Sequence, residues 1–378
     1  MDELISMKKL GFLVNPVAGM GGRVGLKGSD GEEILRKAIQ LGATPISPSR
    51  AIQALSRIAP IKESIDLLTC SHEMGEEEAR ECGFRPRILA TSERGKTTST
   101  DTMNAAKEMG RLQVSLLLFA GGDGTARDIY QAVGQTIPVL GIPAGVKIQS
   151  GVFAVNPRNA GELALAYLQD RQSVLREAEV MDIDEKAFRE NRISARLYGY
   201  LRVPYEKTLV QSAKAGSAPG EEYAAQAIAN DIIDNMEDDC AYIIGPGTTT
   251  RPIVERLGLK KTLLGVDAIY NRRLLGSDLT ENQLLQITGA KRIRIIVSVI
   301  GNQGFIFGRG NQQISPEVIK SAGKENIIVV ATLSKLASLI GAPILVDTGD
   351  SEVDKILSGY IKVITGYGGR TVYKVDSK

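Results

Sequence analysis

Asp123 stands in the segment VSLLLFAGGDGT, residues 114–125, where an apolar run breaks into Gly121, Gly122, Asp123, Gly124 and Thr125. Glycines lack Cβ atoms, so they accept positive φ and let a polyphosphate approach the backbone, while N–H groups at the start of a following helix point at the anion. A carboxylate beside phosphate is repelled by it. Its chemistry there is that of a proton acceptor or a magnesium partner rather than a phosphate anchor. The same residues are also good turn formers, and such a turn alone is not a site. The chain has one histidine, His72. A Ser-His-Asp or Cys-His mechanism therefore has no base unless His72 supplies it, and general-base chemistry falls to a carboxylate, which favours Asp123.

Three further segments follow strand-like runs. NPVAGMGGRVGLKGSDG, residues 15–31, joins the glycines at 19, 21, 22, 25 and 28 to Arg23, Lys27 and Asp30. It offers a second wall for a ligand crevice, with a mobile surface loop as the alternative. It lacks Gly-Lys-Ser/Thr, and Val24 stands where GxGxxG needs its third glycine, which disfavours a P-loop NTPase or an ordinary dinucleotide-binding dehydrogenase. Asn15 is better placed, at the strand end, with Pro16 setting the exit. GIPAGVKIQSG, residues 141–151, carries Lys147, a cation suited to neutralising phosphate. GPGTTTR, residues 245–251, brings Thr248, Thr249 and Arg251 to a substrate's ribose or phosphate, although an N-cap explains part of it. In ERGKTTSTDT, Thr97–Thr100 are read as helix caps before phosphate donors. Cys70-x-His72 lacks the further ligands of a zinc site.

These residues need a sheet to hold them. Strand-like segments at 11–15, 65–70, 87–91, 114–121 and 137–143 alternate with amphipathic stretches at 32–42, 49–59 and 100–110. That alternation predicts a parallel sheet wrapped by helices, with ligands at the carboxyl ends of the strands. From about residue 151 the pattern changes, and 174–205 reads as antiparallel strands. The expected division is a nucleotide-binding α/β domain over 1–150, a β-rich substrate domain over 151–345, and a strand-like terminal segment over 346–378 that returns to cover either domain, foremost the first. A helix is expected over 220–238, a strand, turn and helix over 240–258, and a later apolar run spans 292–301.

Composition excludes other classes. Hydrophobic residues make up 43% and charged residues 24%, with a net charge of +2, which is ordinary for a globular protein and gives nucleic acid no basic stripe. No apolar stretch is long enough for a bilayer, and no secretory h-region opens the chain, so a cytoplasmic location without membrane contact is expected. The three cysteines, Cys70, Cys82 and Cys240, form no disulfide pattern.

GGDGT at 121–125, with the apolar strand before it and NP at 15–16, resembles the ATP-NAD kinase superfamily, shared with diacylglycerol, sphingosine and 6-phosphofructo-kinases. With GIPAGVKIQSGVFA and GPGTTTR, the chain looks most like the predicted ATP-NAD kinase branch that includes the acetoin-catabolism protein X group. The resemblance implies a Rossmann-like N-terminal domain with helices on both faces of a parallel sheet, a C-terminal domain rich in β-structure, and an active site between them. It implies that Asp123 is the general base and that Gly121, Gly122, Gly124, Thr125 and Asn15 bind nucleotide, with Lys147 beside them. Asn230-Asp231 matches the family's dinucleotide-holding Asn-acid pair poorly and reads more readily as helix surface polarity. The implied reaction is phosphoryl transfer, with Mg²⁺, from ATP or polyphosphate to a hydroxyl, foremost the 2′-hydroxyl of NAD. The alternatives are another small hydroxyl acceptor and a nucleotide sensor without turnover. A homo-oligomer is the expected assembly.

Overall fold

The computed structural model describes residues 7–26, 31–171, 174–183, 195–206, 209–210, 220–262, 264–301 and 303–377. Lys27 and Asp30 of the first glycine-rich segment lie outside the described residues. Five strands, β1 (Lys8–Val14), β2 (Ile65–Cys70), β3 (Arg87–Ala90), β4 (Leu116–Gly121) and β5 (Val139–Pro143), lie in the order β3-β2-β1-β4-β5, and every pair is parallel. Every residue of β4 and β5 is buried. Cover on both faces is why they read as unbroken apolar runs rather than alternating ones.

The connecting helices are built by the same local rules. Helix α1 (Glu32–Gln40) precedes α2 (Ser47–Ile58), which buries Ala51, Ala54, Leu55 and Ile58, the helical spacing of one apolar face. After α3 (Glu76–Glu81), α4 (Ser99–Arg111) opens with a capping box in which Thr98 and Asp101 satisfy each other's backbone. The capping expected of Thr97–Thr100 is thus carried by Thr98. Helices α5 (Asp123–Val133) and α6 (Pro157–Leu168) complete the set.

The chain forms two compact units, one of Met1–Met20, Gly28–Leu35 and Thr44–Ala213, the other of Gly21–Lys27, Arg36–Ala43 and Lys214–Lys378. The main division falls near 213 rather than 150. The antiparallel pair β6 (Leu175–Ile183) and β7 (Ala195–Pro204) stays with the first unit because its Ala178, Val180, Leu201 and Val203 join the core of the parallel sheet. Gly199 makes that packing close: a Cβ there would lie 2.2 Å from the Tyr130 ring of α5. A change in local pattern at 151 marks new secondary structure, not a new core.

The second unit holds a mixed nine-stranded sheet. Its strands are β8 (Cys240–Ile244), β9 (Asp267–Tyr270), β10 (Arg273–Gly276), β11 (Arg292–Ser298), β12 (Phe305–Phe307), β13 (Ile327–Val330), β14 (Ile344–Val346), β15 (Gly359–Gly366) and β16 (Gly369–Asp376), in the order β10-β9-β8-β11-β13-β15-β16-β14-β12. A parallel sheet with helices, followed by a strand-rich second part, is the fold class expected. The terminal segment 346–378 contributes β15 and β16 to this sheet and belongs to the second unit. Asp231 accounts for part of that placement. It is 3% exposed, pairs with Arg370 at 2.6 Å and accepts from the Gly368 N–H at 2.8 Å. Asp231, the acid of the pair read as surface polarity, therefore pins the β15–β16 turn.

Candidate active site

Strands β1 and β4 are neighbours in the first sheet, yet the chain leaves them in opposite directions, toward β2 and toward β5. Such a switch point opens a crevice at the carboxyl ends of the strands. Three loops meet there. Asn15 Nδ2, after β1, donates to Thr125 Oγ1 at 2.9 Å, and Asn15 Oδ1 accepts from the Val17 N–H at 3.2 Å. The Gly121 carbonyl accepts from the N–H groups of Ala144 and Gly145, beyond β5, at 2.9 and 3.1 Å.

The glycines are needed for this convergence. A Cβ on Gly145 would stand 2.8 Å from Gly122 Cα, one on Gly121 would stand 2.5 Å from Thr125 Oγ1, and one on Gly19, at φ +79°, would stand 2.0 Å from the Ala144 carbonyl oxygen. Gly122 itself has φ −120°. The demand at the GGDG turn is therefore close approach of one loop to another, and left-handed backbone is required at Gly19 instead. The loop after β1 is also well packed: Ala18, Met20 and Val24 are all buried. Within the second unit, Arg23 accepts from the Glu281 N–H through its carbonyl at 3.0 Å and faces the Glu281 carboxylate at 3.7 Å.

Asp123 is the first residue of α5, whose N-cap Gly122 supplies no side-chain cap. Its carboxylate is 6% exposed. Oδ2 accepts from the Gln149 N–H at 2.7 Å, while Oδ1 accepts from the Ser150 N–H at 3.0 Å and the Ser150 hydroxyl at 2.7 Å. Burial pushes the carboxyl up to about 7, against the three hydrogen bonds that favour its charge, and the nearby Asp182 carboxylate adds to the rise. Asp182 comes from β6 and is held by Arg127 of α5 at 2.6 Å; Arg127 also reaches Asp128 at 3.5 Å and lies 5.9 Å from the Tyr198 ring centroid. A buried carboxylate at a helix start, with a raised pKa and held by donors from the loop beyond β5, is suited to taking a proton near neutral pH.

The first unit thus brings Asn15, Gly121, Gly122, Asp123 and Thr125 together, and Lys147 lies half-buried in the same loop as Gln149 and Ser150. In the second unit Thr248 is exposed, Thr249 is 1% exposed and accepts from Lys335 Nζ at 2.8 Å, and Arg251 pairs with Glu255 at 2.6 Å. The N-cap of that turn is Thr250, but its hydroxyl makes no cap and instead donates to the carbonyls of Gly245 and Gly247. Away from these, the buried Cys70 thiol is pushed up to about 11, first by desolvation and then by Asp101, which disfavours the thiolate a metal needs. His72 is exposed, 4.0 Å from Glu77. Among the described residues no helix is long and apolar enough to cross a membrane.

Gln149, Ser150, Arg127 and Asp182 are the site residues that pattern reading missed. The one available signal was chemical: a carboxylate placed at the end of a buried strand needs donors, and the first uncharged polar side chains beyond β5 are Gln149 and Ser150.

Residues 11–172 match the ATP-NAD kinase N-terminal domain, and residues 237–375 match the ATP-NAD kinase C-terminal domain. No curated protein matches the chain. Among solved structures, a diacylglycerol kinase from Bacillus anthracis str. Sterne aligns at 18% identity over 47% of this chain and 46% of its own, with a TM-score of 0.23. A UDP-N-acetylglucosamine 2-epimerase aligns at 9% identity over 95% of this chain and 78% of its own, with a TM-score of 0.24. Likeness that weak bears on neither fold nor activity.

Proposed function

Because the chain belongs to the ATP-NAD kinase family, we propose that it transfers the terminal phosphoryl group of ATP or polyphosphate to a hydroxyl, and that the acceptor is the 2′-hydroxyl of NAD. The observation that carries this reading is the Asp123 carboxylate, buried at the start of α5 and held by Gln149 and Ser150. A carboxylate has about four lone-pair directions, two on each oxygen. Two donors occupy Oδ1 and one occupies Oδ2, so the open direction is on Oδ2. That oxygen accepts the acceptor's proton as its oxygen bonds to phosphorus and the bond to the leaving phosphate breaks.

Mg²⁺ enters with the donor's phosphates as part of the substrate. The turn at 121–125, locked to Asn15 through Thr125, positions the phosphates, and Lys147 offsets their charge. Phosphoryl transfer depends mainly on such positioning and charge stabilisation. General-base catalysis contributes about 10²- to 10⁴-fold, so Asp123→Asn loses activity on that scale while still binding nucleotide.

The test offers purified protein Mg²⁺ with ATP or polyphosphate and a panel of hydroxyl compounds including NAD and NADH, following product and nucleotide binding together. NADP formation slowed about 10²- to 10⁴-fold by Asp123→Asn is the expected result. Product from a different acceptor alone would replace NAD in this reading, and binding without any product would replace the kinase by a sensor.

A further inference from the structure

Ser150 makes contacts that a simple carboxylate anchor does not need. Its Oγ lies 2.7 Å from Asp123 Oδ1, 2.8 Å from the Met181 carbonyl oxygen, and accepts from the Met181 N–H at 2.9 Å. Both oxygens are within reach of a donated hydrogen bond, yet a hydroxyl has one proton. Met181 is available because the β6–β7 ladder breaks there: Val180 pairs with Gly199, Met181 pairs with Leu197, and Tyr198 is left over as a bulge. A bulge frees ladder groups and re-aims side chains, and such irregularities recur next to active sites. This one turns the Met181 backbone onto Ser150. The next residue, Asp182, is paired to Arg127, and the bulged Tyr198 lies beneath Arg127 and Arg196, at 5.9 and 5.3 Å.

Acceptor strength decides where the single proton goes. An ionised carboxylate outcompetes a peptide carbonyl, because charge-assisted hydrogen bonds are roughly twice as strong as neutral ones. A neutral carboxylic acid has lost that advantage. We infer that Ser150 is a proton-coupled positioning residue, whose hydroxyl points to Asp123 while the base is ionised and swings to the Met181 carbonyl once Asp123 has taken a proton, so that the β6–β7 bulge registers the state of the base. No bond to oxygen forms or breaks in this step beyond the transfer to Asp123 itself. The Ser150 proton stays on Ser150, and the proton on Asp123 returns to solvent after turnover.

The inference rests on the base role proposed for Asp123, but it is measurable without turnover. The charged groups around the carboxyl are Asp182 from β6 and Arg127 and Asp128 from α5, with Lys147 in the same loop as Ser150. The experiment is an NMR titration of the full chain labelled with ¹³C at the carboxyl carbons of aspartate and the carbonyl carbons of methionine, with Asp123→Asn assigning the Asp123 signal. In the wild type the Met181 carbonyl shift is expected to follow the same midpoint as Asp123, and Asp123→Asn should abolish its pH dependence. Ser150→Ala should raise the Asp123 midpoint by about one pH unit, which is about 1.4 kcal/mol, and uncouple Met181 from it. Ser150→Thr, which keeps a hydroxyl, should restore both. A merely structural serine would lower stability and leave the midpoint where it was.

A Met181 signal that stays flat while Asp123 titrates in the wild type overturns the switch. An unmoved Asp123 midpoint in folded Ser150→Ala overturns it as well. Failure of the kinase reading is seen separately, as absence of product in the acceptor panel while the titrations remain coupled.

Discussion

Removing the Asp123 carboxyl should abolish the site's contribution to the pH dependence of stability, and the size of the effect follows from its burial. The folded carboxyl is raised from 3.8 to about 7. Between those values the native protein holds a proton that the unfolded chain has released, so stability falls as pH rises. The stabilisation associated with the protonated form is fully present below 3.8 and lost as pH passes through about 7. Integrated from about pH 5 to about pH 8, the loss is about 2–3 kcal/mol, a large share of the roughly 5–15 kcal/mol that holds a typical domain together. The ionised base is therefore maintained at a cost to the fold.

Asp123→Asn isolates this effect. The asparagine oxygen can still accept from Ser150, but its NH₂ faces the Gln149 N–H, donor against donor. That mismatch costs about 1–3 kcal/mol at every pH, so it moves the whole curve without tilting it. Glu78, buried and also pushed up to about 7 by desolvation, tilts both proteins equally and cancels in the difference. The assay is urea unfolding of both proteins at a series of pH values. The difference, wild type minus variant, should fall by about 2–3 kcal/mol from about pH 5 to about pH 8 and then level. A difference that stays flat, or rises with pH, would refute the argument that Asp123 is a desolvated base.

The same titration predicts that kcat/KM falls about tenfold per pH unit below about pH 7, read directly from a pH–rate profile. Gly19→Ala forces a Cβ to 2.0 Å from the Ala144 carbonyl at φ +79°, so it should cost about 2–4 kcal/mol by denaturation and reduce nucleotide binding with it. Thr125→Val and Asn15→Ala each break one cross-loop hydrogen bond; a double-mutant cycle on nucleotide affinity should give a coupling of about 1 kcal/mol, and additive losses would mean that the pair does not hold the loops. Asp231→Ala releases Arg370 and the Gly368 N–H, which should cost about 1–3 kcal/mol of stability while leaving the KM for NAD unchanged; a KM effect without a stability effect would return this residue to a dinucleotide role.

Residues whose role depends on near neighbours could be read from the chain alone. Strand β2 spans Ile65–Cys70 as the apolar run does, and Asp123 follows a fully buried strand and opens a helix because the glycines and the threonine around it carry that instruction locally. The fold class, a parallel sheet and then a strand-rich part, follows from the same short-range periodicities. What needed the tertiary structure was every relation that spans many residues. Ser150 meets Asp123 across 27 positions and Asp231 meets Arg370 across 139, and the β6–β7 pair joins the first core because its apolar face is covered there and not by anything adjacent in sequence. Even the glycines changed meaning, from room for a ligand to room for another loop. Hydrophobic period and turn chemistry report which groups are buried and where the chain bends. They carry no information on which distant donor satisfies a buried carboxylate, because that partner is chosen by how the strands are ordered in the sheet.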